Sequence, residues 1–322
     1  MKIAIIGAGP SVLAAGHELL KQGFSDFTIF DELDAPGGTW RLHSYPGLAC
    51  DVWAHSYTFS YAPNPDWSAN FVDQPEIQAY LQRCATEFGL DPHLRLKTHI
   101  SSMRYLEHGA WELHTSTGET QVFDVVINAM GNQHTPLYPD VPGLEKFAGD
   151  SWHATRWNHD VDLQDKRVII VGSAASAVQI VPEVAKKAGH LTVMQRSANW
   201  IMPRRKKDYS TLKRRMFRTF PFLIKLTRAW QRLLMGQVEY AVTHGHKRMG
   251  QFEGMVRSFI ERTVSDPKTR EQLTPDSHYG CKRGLVSDDF YPALERDNVD
   301  LVASGLREVT ATGVITQVRL RN

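Results

Sequence analysis

Lys2 to Ile6 is a short apolar run that ends at Gly7. From Ser11 to Lys21, Leu and Ala recur at helical spacing, and Phe27 to Phe30 is a second apolar run ending at Asp31. Short buried-type runs predict strands and the periodic stretch predicts a helix, so the chain opens as strand, glycine turn, helix, strand. The pattern then recurs. Lys166 closes a polar turn, Val168 to Val171 reads as a strand, Ala175 to Lys187 as a helix and Leu191 to Met194 as the next strand. Pro136, Pro139 and Pro142, within Thr135 to Gly143, mark a linker and give two domains, residues 1–140 and 141–322. Residues 205 to about 265 break the α/β rhythm and read as a helical, basic insertion in the second domain. A strand at Val299 to Val302 and a hairpin around Ala311-Thr312-Gly313 follow.

Both glycine turns sit where a phosphate-binding turn belongs, after a strand and before a helix. In Gly7-Ala8-Gly9 the first glycine permits the tight turn and the second lets backbone approach a pyrophosphate at the helix N-terminus. Pro10 suits the first helical turn, where no N–H is needed, and Ser11 follows it. Asp31, at the end of the second strand with Glu32 beside it, can accept a hydrogen bond from a ribose hydroxyl. Val12 stands where the third glycine of the motif would allow close helix–strand packing, which should cost roughly 1–3 kcal/mol unless the helix moves outward. The second turn reads Gly172-Ser173-Ala174-Ala175-Ser176-Ala177, with Ala174 in place of the glycine that approaches the pyrophosphate. The next strand ends in Gln195-Arg196-Ser197 instead of an acidic residue. An arginine there can pair with a 2′-phosphate through its planar fork, which favours NADPH over NADH. The fold class expected is α/β, with two Rossmann-like dinucleotide-binding domains.

A chain of 322 residues accommodates about two domains, and 42% hydrophobic with 22% charged residues is ordinary globular usage. A net charge of +2 argues against a strongly anionic partner. Three cysteines without a Cys-x-x-Cys pair point to a reducing, cytoplasmic setting with no disulfide framework and no metal site. The N-terminal apolar run is broken by Gly7, Gly9 and Pro10, unlike a signal peptide. His244-x-His246 has no partner motif and reads as surface. From Arg204 to Arg232 there are eleven Lys or Arg and one acidic residue, Asp208, interleaved with Phe220, Phe222, Leu226, Trp230 and Leu233. Such a segment suits a solvated basic face over a buried apolar one, or weak contact with an anionic membrane surface. Nucleic acid is not expected as a partner.

Three further stretches carry a family resemblance. Gly37-Gly38-Thr39-Trp40, then Tyr45-Pro46-Gly47 and Asp51, resembles the FAD-contacting loop of Baeyer–Villiger monooxygenases. Phe147-x-Gly149-xxx-His153-xxx-Trp157 resembles the signature of that family, and it falls between the two glycine turns, where the family places it. Cys281-Lys282-Arg283, leading to Phe290-Tyr291-Pro292, is similar to the family's catalytic segment. The resemblance implies FAD on the first domain and NADP on the second. It also implies a reaction that inserts one oxygen atom of O2 beside a ketone carbonyl through a C4a-peroxyflavin, giving an ester or lactone. In that reading Arg283 is the active-site arginine, Asp51 the carboxylate that positions it, and Lys282 a second 2′-phosphate contact with Arg196. His153 and Trp157 would then serve domain motion rather than chemistry. Oxygenation of a sulfide or amine, or a nucleotide-binding relative without turnover, stay open beside it. The sequence departs from the family at Val12, Met130, Asn158 and Ala174. The family also carries a C-terminal return to the FAD domain beyond the point matching Asn322, and without it the first sheet would keep an uncovered edge.

Overall fold

A computed structural model describes residues 1–317, apart from the side chains of residues 246–248, so the His246 side chain lies outside the described residues. The chain packs as two compact units. One holds Met1–Ser44, Phe59–Asn64 and Gln74–Leu137; the other holds Tyr45–Thr58, Pro65–Asp73 and the chain from Tyr138 onward.

The first unit opens with β1 (Ile3–Ile6), α1 (Pro10–Lys21), β2 (Phe27–Phe30) and the single-turn α2 (Thr39–Leu42). It continues with α3 (Gln74–Glu87), β3 (Leu94–Arg95), β4 (Ile100–Tyr105), β5 (Trp111–Thr115), β6 (Thr120–Phe123) and β7 (Val125–Asn128). The sheet order is β3-β2-β1-β7 and all its pairs are parallel, with Ile3 to Ile6 facing Phe27 to Phe30 on one side and Val125 to Asn128 on the other. Every residue of β1 is buried, as expected of a central parallel strand. β4, β5 and β6 form a separate antiparallel sheet. Its Leu113 and Phe123 complete a core with Ala4, Ile6 and Phe30, with the Phe30 and Phe123 rings edge to face at 5.8 Å.

The second unit repeats the opening with β8 (Arg167–Val171), α4 (Ala175–Ala185) and β9 (His190–Met194). The insertion follows: β10 (Ile201–Met202), α5 (Thr211–Thr219), α6 (Phe222–His244), α7 (His246–Thr263) and α8 (Pro267–Leu273). The chain then forms β11 (Leu285–Val286), α9 (Phe290–Leu294), β12 (Val299–Val302) and the hairpin β13 (Leu306–Thr310) and β14 (Gly313–Thr316). Here the parallel sheet is β12-β9-β8. Among the described residues β8 pairs with β9, and Ile169 and Val171 are exposed.

Val12 is fully buried in α1, and a close approach of this helix to its neighbours lies one turn along, at Gly16. A Cβ at Gly16 would lie 2.9 Å from Leu90 Cδ2 and 3.5 Å from Ile29 Cδ1. One packing expectation is corrected: the basic segment of the insertion buries Phe217 and Ile224 but not the rest of its apolar surface, since Phe222, Leu226, Trp230 and Leu233 are exposed, whereas Gln231 is buried. His244 is exposed.

Candidate functional site

The first glycine turn is built as its sequence requires. Gly7 has φ +104°, and a Cβ there would meet the Ala129 carbonyl oxygen at 2.6 Å, so no other residue fits without movement. α1 begins at Gly9 with no side-chain cap, with Pro10 in its first turn and no acidic residue there. Its N-terminal end is left open for an anion. The loop of α2 closes on this turn: Gly37 N–H donates to the Ala8 carbonyl, and Gly38, at φ +55°, would carry a Cβ 2.8 Å from Gly9 Cα. Thr39 starts α2, while Trp40 is buried and its carbonyl accepts from Gln74 Nε2.

Asp31 fastens the turn to the strand end. Its carboxylate accepts the Ala8 N–H at 2.6 Å and the Leu33 N–H at 2.8 Å. Burial raises its pKa, while those two hydrogen bonds pull the other way. Both oxygens already serve backbone, so Asp31 holds the turn's shape whether or not it also meets a ribose. Glu32 is held below the usual carboxylate range by His134, at 2.5 Å, and His99, at 3.2 Å. These two histidines carried no sequence signal, since they lie 67 and 102 residues from Glu32.

The second unit holds the other residues. Gly172 has φ +116°, and nothing among the described residues stands within 4 Å of where its Cβ would be. Ala174 caps α4 at φ −77°, ψ −174°, nearly the conformation of Gly9 at φ −76°, ψ 179°. This is extended backbone open to any residue, so alanine brings no strain, and Ala174 is exposed. α4 also lacks a side-chain cap and any acidic residue in its first turn, which Ala175 and Ser176 begin. Ser173 is buried and tied by Asn199, whose Nδ2 donates to the Ser173 carbonyl at 2.8 Å. Lys282 Nζ donates to Ser197 Oγ at 2.7 Å and to the Ala198 carbonyl at 3.2 Å. The loop bearing Lys282 is thereby set against the end of β9, where Arg196 is exposed and makes no ion pair among the described residues.

The next residue in that loop completes a pair. Arg283 Nη2 lies 2.5 Å from Asp51 Oδ2, with Arg283 mostly exposed and Asp51 largely covered. Asp51 belongs to the stretch 45–58, which α4 holds down through Gln179. Gln179 Nε2 donates to the Ala49 carbonyl at 2.9 Å, and its Oε1 accepts from the Tyr45 hydroxyl at 3.3 Å. A Cβ on Gly47, at φ +78°, would fall 2.4 Å from the Gln179 carbonyl oxygen. Burial pushes the Tyr45 phenol up, with a hydrogen bond to Ser176 opposing it. Gln179 is the residue that motif reading missed; it lies inside the helix, beyond the fingerprint, and only folding brings it to the loop.

The signature stretch has its own local structure. The Phe147 ring lies over Gly149, where a Cβ would be 2.8 Å from Phe147 Cε1. His153 caps a short 3-10 turn, its Nδ1 accepting from the Thr155 N–H at 3.2 Å. Trp157 meets Trp152 edge to face at 5.5 Å. These contacts are structural, with no geometry of a proton-transfer group.

Two glycine turns that each open an uncapped helix on a parallel sheet define a tandem dinucleotide-fold α/β protein. The comparisons make the class specific. The chain belongs to the flavin-binding monooxygenase-like family, whose sequence model matches residues 1–244. It is 42% identical over 320 residues to a Baeyer–Villiger monooxygenase of Streptomyces coelicolor, a match covering 98% of this chain and 61% of that relative. Among solved structures it is similar to cyclohexanone monooxygenase from Rhodococcus sp. Phi1 bound to NADP+, with a TM-score of 0.85 and 27% identity over 98% of this chain and 67% of that one. It is also similar to OTEMO in complex with FAD and NADP, with a TM-score of 0.83 and 26% identity over 98% of this chain and 68% of that one. The chain spans less than two thirds of the length of the first of these relatives.

Proposed function

We propose that this chain supplies the FAD-binding and NADPH-binding parts of a monooxygenase that inserts one oxygen atom of O2 next to a ketone carbonyl. The first turn fits FAD: Gly7, Gly9, Pro10 and Ser11 would take the pyrophosphate, Asp31 and Glu32 the ribose end, and Gly38, Thr39, Trp40, Tyr45 and Asp51 the loop against the flavin. Gly172, Ser173, Ala175, Ser176, Arg196, Ser197 and Lys282 would take NADPH. Reduced by NADPH, bound FAD supplies the activation of O2. The protein's share is charge and position. Arg283 is a permanent cation, suited to stabilise negative charge as it develops on the carbonyl oxygen. Asp51 would orient it, in turn held by the Gln179 clamp.

One observation carries this reading: Lys282 and Arg283 are consecutive, one bonded to the end of β9 and the other paired with Asp51. A single short loop thus ties the expected 2′-phosphate contact to the expected reaction cation. Arg283→Ala is expected to abolish ester or lactone formation from a ketone panel while NADPH binding, measured by titration, persists through Arg196 and Lys282. Unchanged product yield would remove Arg283 from this role. Sulfoxide from a parallel sulfide panel, with no ester, would move the assignment to heteroatom oxygenation.

A further inference from the structure

α6 buries Ile224, Gln231 and Ala241 on its inner side and carries a second apolar stripe outward. Its inner side is anchored by polar groups: Arg228 Nη1 donates to the His55 carbonyl at 2.7 Å, and Gln231 Oε1 accepts from Ser56 Oγ at 2.7 Å. Its outer side is apolar. Phe222, Leu226, Trp230 and Leu233 are 56%, 60%, 60% and 55% exposed. At 100° per residue they fall within one stripe, with Tyr240 continuing it and Lys225 and Arg232 together along one border. α5 adds exposed Leu212 and Met216, one helical turn apart. Between Asp208 and Glu239 there is no acidic residue, against seven Lys or Arg.

A stripe of this size on a helix surface marks an interaction site rather than scattered surface residues. Its aromatic content and one-signed border match a helix lying in the plane of an anionic bilayer, apolar side in the acyl boundary and cations at the headgroups. No helix among the described residues is long and apolar enough to cross a membrane, which leaves the in-plane arrangement. We infer that the outer face of α5 and α6 docks this protein on an anionic phospholipid surface. The docking does not depend on the oxygenation reading.

The test is flotation of the purified chain with phosphatidylcholine vesicles, with and without phosphatidylglycerol, at low and high salt. Binding is expected only with phosphatidylglycerol and should weaken as salt rises. Replacing both Lys225 and Arg232 by Gln should weaken partition roughly 30-fold, since each cation near such a surface contributes about fivefold. Leu226→Glu with Trp230→Glu should abolish it; both side chains are exposed, so thermal unfolding should stay unchanged. Brominated acyl chains should quench the wild-type tryptophan emission more than that of Trp230→Phe. The inference is overturned if the chain does not float, if neutral and anionic vesicles bind it equally, or if the Glu variant binds like wild type. It is also overturned if light scattering without lipid shows dimers that Leu226→Glu dissolves, because the stripe would then belong to a second copy.

Discussion

At the scale of single residues, the two departures from the glycine fingerprints have different physical outcomes. Ala174 occupies extended backbone and exposes its methyl group, so the second turn keeps its shape at no conformational cost. Val12 is buried and fills space that the fingerprint would leave empty, while Gly16 provides the close approach to Ile29 and Leu90. Restoring the fingerprint with Val12→Gly is therefore expected to destabilise the first unit by about 2–4 kcal/mol, through the lost buried side chain and the helical glycine. Chemical denaturation of the variant checks this; a gain in stability would show that Val12 is strained. The sequence made both departures visible but not their consequence. Helix packing is compensated one turn away, and a one-dimensional motif has no position for that compensation.

At the scale of elements, the insertion is joined to the segment 45–58 through a buried histidine. His55 is fully buried, neither ring nitrogen has a hydrogen-bond partner among the described residues, and its ring stacks on Tyr209 and meets Phe217 edge to face at 4.6 Å. Burial first, then Lys213 and Arg228, pushes its pKa down to about 4. The folded value lies below the unfolded one of about 6.5, so the unfolded chain takes up the proton first as pH falls. Stability from this site is complete above about pH 6.5 and is lost progressively down to about pH 4, on the order of 3 kcal/mol. Thermal unfolding between pH 7 and 4.5 should show this loss, and His55→Phe should flatten it; an equally steep profile in the variant would exclude His55 as its source. The helical insertion itself was legible from composition, but its orientation was not. Arg228 of α6 donates to the backbone carbonyls of His55 and Thr58 on the same side as buried Ile224 and Ala241, an anchor that hydrophobic periodicity does not show.

At the scale of the whole molecule, the two units share a plan: strand, glycine turn, helix and parallel strand open each of them. By itself the sequence determined the two strand–turn–helix–strand openings, the glycine positions, the hairpin and the family, because these rest on local periodicity and on backbone angles that only glycine readily adopts. Tertiary structure alone decided that residues 45–58 and 65–73 pack with the second unit and that Gln179 clamps the loop before Asp51. It also decided that Glu32 meets two distant histidines and that α6 turns an apolar stripe outward. Each of these is a contact between residues far apart in the chain, and such a contact exists only once the backbone polar groups of the intervening segments have found their partners.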